Sequence, residues 1–193
     1  MFNSLANRIA QLFVKQGIIS EADKELYRFG FNQFLTIIFN VVTTLIIGCA
    51  FHMVISSVIF LIVYVPLRSY AGGYHANTPW RCYVLSTLVI ALVLIILKYF
   101  TNLLVCYAIV LIAGTILCLL LSPVSDQNKP FDDTEQKVFK KVSHMILIIE
   151  IILSIIAFFV YLNLFKIISL AVFIEGIMLV LGKLKNFLIV HKK

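Results

Sequence analysis

Long apolar runs dominate this chain. They fall at about 31–50, 53–67, 82–99, 103–121, 143–162 and 164–181. A membrane-crossing helix needs roughly 20 mostly apolar residues, so the runs predict six transmembrane helices. Charged residues make up only 13% of the 193, and 62% are hydrophobic; soluble domains carry about 25% charge. The expectation is one all-α integral membrane domain over 1–193, with no room for a soluble one. The run at 53–67 is short and has Pro66 near its end. It must tilt, extend toward Arg68 or sit in thinned bilayer.

Residues 2–16 place Phe2, Leu5, Ile9, Leu12 and Phe13 at helical spacing among Asn3, Asn7, Arg8, Gln11 and Lys15. That is an amphipathic interfacial helix, ended by Gly17. Ser20 to Asp23 and Asp133 to Gln136 each look like a capping box that opens a helix. Met1 to Lys24 has no continuous apolar core, so it does not read as a cleavable signal peptide. Alternating six spans from a cytoplasmic N-terminus leaves only Lys98 and Lys166, of 16 Lys and Arg, on the far side. The positive-inside rule therefore predicts cytoplasmic termini and cytoplasmic loops at 68–81 and 122–142. The net charge of +7 reads as topology and attraction to anionic lipid of the bilayer. No soluble basic face is left for nucleic acid.

Four cysteines are present. Cys49, Cys106 and Cys118 sit inside apolar runs and read as small packing residues. Their spacing gives neither a metal motif nor a disulfide framework, so no metal or cofactor is expected. Cys82 differs. Thr78-Pro79 is a helix-start signature, which puts Cys82 at the first turn, where a helix N-terminus favours negative charge. Arg81 adds positive potential beside it. His75 lies seven residues earlier, about 10.5 Å along a straight helix and too far for a base. Gly72-Gly73 and Pro79 allow the chain to fold back. The pattern predicts a dyad in which His75 takes the thiol proton and Cys82 attacks a carbonyl. Backbone N–H groups of Trp80 or Arg81 are the candidate oxyanion donors. Thiols on the cytoplasmic side stay reduced.

The run Arg68-Ser-Tyr-Ala-Gly-Gly-Tyr-His-Ala76, with Cys82 beyond it, resembles the signature of the accessory gene regulator B (AgrB) family. Pro123 to Pro130 is similar to that family's Asn-Lys-Pro loop, and the amphipathic start, length and six-span pattern also agree. The resemblance implies a membrane cysteine endopeptidase of peptide quorum sensing, with His75 and Cys82 catalytic and Arg68 part of the site. Its partner would be an AgrD-like propeptide with an amphipathic leader, a signal segment and an acidic tail. Cys82 would cut off the tail and hold the signal segment as an acyl-thioester, which an internal Cys or Ser displaces to give a thiolactone or lactone. The protein would act in the cell membrane, at its cytoplasmic face.

Arg68, Lys129, Lys137, Lys140 and Lys141 are candidates for holding a carboxylate of the substrate. Asp126, Asn128 or Glu150 could orient His75. Charges inside a bilayer are costly, so Glu150 and Glu175 are expected to face protein or stay protonated; Gln33, Asn40 or a second copy are the candidate partners, and these polar intramembrane residues make a homodimer reasonable. The alternative reading is a small transporter or peptide-export subunit without proteolytic activity, for which midplane Glu175 would serve.

Overall fold

A computed structural model describes residues 2–76, 78–125 and 131–190. Its elements are α1 (Asn3–Lys15), a 3-10 turn (Glu21–Asp23), α2 (Lys24–Phe51), α3 (Val54–Ala71), α4 (Pro79–Tyr99), α5 (Leu104–Leu121), α6 (Asp133–Val160) and α7 (Leu162–Val190). No strand occurs among the described residues, only an isolated bridge between Gly72 and Val124. Six helices, α2 to α7, are long and apolar enough to cross a membrane. The protein is an all-α, multi-pass membrane protein.

Helix α1 packs on α2 through small residues. Ala6 and Ala10 are fully buried, and Phe2 and Phe13 flank them with ring contacts to Phe39 and Phe31. Gly17, at φ +68°, turns the chain out of α1. Ser20 then caps the 3-10 turn by accepting from Asp23 N–H at 3.2 Å. The reciprocal half of a capping box is missing, because the shorter Asp23 carboxylate takes the Ser20 hydroxyl instead, at 2.6 Å.

Several helices exceed their apolar runs, and two of these extensions bear on the loop end. Pro66 does not stop α3, which continues to Ala71 and so carries Arg68 in its last turn. Helix α6 begins ten residues before its apolar run. The box there is set one residue earlier than Asp133 to Gln136: Asp132 accepts from Glu135 N–H at 2.6 Å, and the Glu135 carboxylate accepts from Asp132 N–H at 3.4 Å. Lys137, Lys140 and Lys141 stand exposed on these polar turns.

Helix α7 is the hub. In its apolar window 72% of residues are buried, against 11–28% in the other five spans. A helix apolar on all sides belongs inside a bundle, and α7 packs against α3, α5 and α6. Its closest neighbour is α5. A Cβ on Gly114 would stand 2.5 Å from Phe173 Cα, and Gly176 faces Leu117 and Gly114. Small residues let membrane helices approach in this way.

The helices alternate, so the connections gather at two ends. At one end the α3–α4 and α5–α6 segments are joined: Gly73 N–H donates to Val124 O (3.1 Å) and Val124 N–H to Ala71 O (2.9 Å). At the other end Cys49, His52 and Asn163 line an open cavity. Lys98 and Lys166 lie toward that second end, each over an aromatic ring.

Gly114→Leu should force α5 off α7 and destabilise the protein by roughly 1–3 kcal/mol. Leu120, 72% exposed on the outer face of α5, should tolerate Ala. Thermal unfolding of detergent-solubilised protein, followed by the monodisperse fraction, checks both.

Candidate active site

Residues 72–76, between α3 and α4, have no regular structure, yet their backbone is held from four directions. Arg68, one turn before the end of α3, donates from Nη1 to the Gly72 carbonyl and from Nη2 to the Tyr74 carbonyl. Gly73 N–H reaches Val124. Tyr74 N–H donates to the Met178 carbonyl of α7 at 2.8 Å. Lys185 Nζ donates to the His75 carbonyl at 2.6 Å and lies 5.6 Å from the Tyr74 ring centroid. The two glycines make this path possible: φ is +78° at Gly72 and +111° at Gly73. A side chain on Gly73 would also run into Arg68 Nη1 and the Met178 carbonyl.

His75 emerges from this strap with an exposed side chain. Asn77 lies outside the described residues. Thr78 then caps α4, accepting from Arg81 N–H at 3.4 Å, and Pro79 occupies the first helical position. Cys82 sits at the end of the first turn, half-buried, with its own N–H donating to Thr78 O at 3.1 Å. Of the two expected oxyanion donors, Arg81 N–H is thus engaged by Thr78. Trp80 N–H has no hydrogen bond to another described residue. Tyr83 anchors this start of α4 against α2, hydrogen-bonded to Thr43 at 3.0 Å and packed on Phe39 and Trp80.

Beneath the strap lies a buried polar group. Glu175 of α7 is fully buried, and its Oε1 is 3.6 Å from Arg68 Nη1. Neither Glu175 oxygen closes an ordinary hydrogen bond. Tyr64, one turn before Arg68 on α3, faces the same carboxylate and lies within electrostatic reach of the Cys82 thiol. This group joins α7 to the arginine that holds the histidine loop.

The structure corrects the expected partners of the intramembrane carboxylates. Glu175 faces Arg68, not Gln33 or Asn40. Asn40 instead donates within its own helix, to Thr36 O at 2.8 Å. Glu150 is buried deep in α6 and its electrostatic neighbour is Glu175. It stands about 16 Å along α6 from Phe139, whose ring packs on Tyr70 at the loop end of the bundle. Asp126, Asn128 and Lys129 lie outside the described residues. Tyr64, Met178, Gly182 and Lys185 escaped the sequence reading; Glu175 was read as a carboxylate facing protein, which it is, but without Arg68 as its partner.

Fold and loop together define a multi-pass helical membrane protein with a strapped histidine loop leading into a cysteine-bearing helix start. The accessory gene regulator B family matches residues 6–179, and the chain belongs to that family. Among its relatives, an AgrB-like protein of Clostridium perfringens strain SM101 is 26% identical over 172 residues, covering 85% of this chain and 80% of the relative. AgrB-like protein 2 of C. perfringens strain 13 is 23% identical over 171 residues, covering 84% and 80%. No solved structure matches the chain. Membership implies a part in accessory gene regulator quorum-sensing peptide processing, with an AgrD-like propeptide as partner.

Gly73→Ala should break the strap, since a Cβ there is strained at positive φ and collides with the arginine. Amide exchange at Tyr74 should speed up by at least tenfold while helix content by circular dichroism stays unchanged.

Proposed function

We propose that this protein is a membrane cysteine endopeptidase, with His75 and Cys82 as its dyad, that removes the C-terminal tail of its propeptide. The observation that carries the reading is the placement of Cys82 at a capped helix N-terminus, seven residues beyond a histidine on an immobilised loop. A helix start favours the sulfur anion, and a fixed loop limits the positions the imidazole can take.

His75 takes the Cys82 proton as sulfur attacks the carbonyl carbon at the end of the signal segment. The tetrahedral oxyanion is stabilised by Trp80 N–H at the helix start. Collapse breaks the peptide C–N bond, and His75 returns the proton to the departing tail amine. The signal segment then sits on Cys82 as a thioester. An internal thiol or hydroxyl of the peptide attacks it, loses its proton and restores the Cys82 thiol, leaving a ring. The exchange needs surroundings that exclude water. Exposed Lys137, Lys140 and Lys141 near the loop, with Lys129, suit the acidic tail. Opposite-end Lys98 and Lys166 favour placing the loop end on the cytoplasmic side of the cell membrane. Glu175 lies against Arg68 rather than along an open passage, which favours peptidase over transporter.

Co-expression with the propeptide, read by mass spectrometry, tests this. His75→Ala should slow tail release by about 10²–10⁴-fold, and Cys82→Ala should abolish it. Normal processing in Cys82→Ala would leave the transport reading standing.

A further inference from the structure

Glu175, Met178, Gly182 and Lys185 are spaced 3, 4 and 3 residues apart, so they form one stripe along α7. Every one of them meets the histidine loop or the arginine that holds it. Glu175 lies 3.6 Å from Arg68. The Met178 carbonyl accepts Tyr74 N–H at 2.8 Å. Gly182 leaves space for the passing backbone: a Cβ there would stand 2.7 Å from Gly73 C and 2.8 Å from Tyr74 N. Lys185 holds the His75 carbonyl at 2.6 Å.

We propose that this stripe of α7 is the template that sets His75 for attack, and that Glu175 is a positioning residue that acts through Arg68. The inference rests on the endopeptidase reading. Arg68 presents a rigid fork that donates to two loop carbonyls and faces one carboxylate across an ion pair. The carbonyls alone carry no charge to match it. Without Glu175 the guanidinium is a cation in apolar surroundings, and a long side chain in that position swings its head toward water. The Gly72 and Tyr74 carbonyls are then released and His75 moves. Misplacing a reacting group by about 1 Å can cost about 10²-fold in rate. A charge pair kept only for stability behaves differently, because replacing both partners by apolar residues is often neutral or stabilising.

The test uses the full-length protein in membranes with the propeptide, measuring tail release. Cleavage by the wild type and none by Cys82→Ala establishes the underlying reading; equal processing by both defeats that reading and the inference with it. With the reading established, Glu175→Gln should lower kcat by about 10²-fold with KM within about threefold, and Glu175→Asp should recover part of the loss. The double variant Arg68→Met/Glu175→Leu should be recovered in folded form yet stay as slow as Glu175→Gln. Gly182→Ala, which pushes on the loop without touching the ion pair, should show the same kcat loss at unchanged KM. Wild-type kcat in Glu175→Gln, or recovery of activity in the double variant, overturns the inference while the dyad stands. If Glu175→Gln does not fold, Gly182→Ala decides: slowed turnover supports the template, and wild-type turnover rejects it.

Discussion

The contact between Arg68 and Glu175 is the interaction on which the histidine-loop end of this protein depends. It joins α3 to α7 inside an apolar bundle and turns a flexible diglycine segment into a fixed one. A guanidinium in such a place needs an anion close by, and the carboxylate needs a cation for the same reason. Their mutual dependence sets where the fork points. From that point the loop backbone follows: two carbonyls on Arg68, one N–H on Val124, one N–H on Met178, one carbonyl on Lys185.

Hydropathy exposed most of the fold. Six apolar runs became six long helices, because a lipid-crossing segment must satisfy its backbone internally. Helix ends were legible where local chemistry marks them: the polar first turns of α6 carry no hydrophobic signal, but the capping-box pattern near Asp133 showed a helix start, and the extension of α3 toward Arg68 was one of the ways open to its short apolar run. Thr78-Pro79 was readable as a helix start, since capping is local chemistry within three residues. The partner of Arg68 was not, because Glu175 lies 107 positions away and pairing at that range is decided by which helices pack together. The hub role of α7 had a trace in the sequence: Ala171 and Gly176 let neighbours approach, and Ser169 and Glu175 are polar groups unsuited to lipid.

The candidate dyad divides between two kinds of support. Cys82 belongs to a regular helix whose first turn is capped and packed by aromatic rings. His75 belongs to irregular backbone, which at membrane depth is tolerated only where protein satisfies its polar groups. The strap meets that requirement with side chains and carbonyls from α3, α7 and the segment after α5. A helix presents the thiol, and the rest of the bundle presents the imidazole.

The distance in sequence between His75 and its holder Lys185 is 110 residues. Synthesis proceeds at about 5–20 residues per second, so the loop leaves the ribosome several seconds or more before its anchors on α7 exist. During that interval α2, α3 and α4 can insert with the thiol already made but the imidazole unset. The loop therefore acquires its fixed course late in translation, and a chain cut short before α7 lacks the Met178 and Lys185 contacts that hold it.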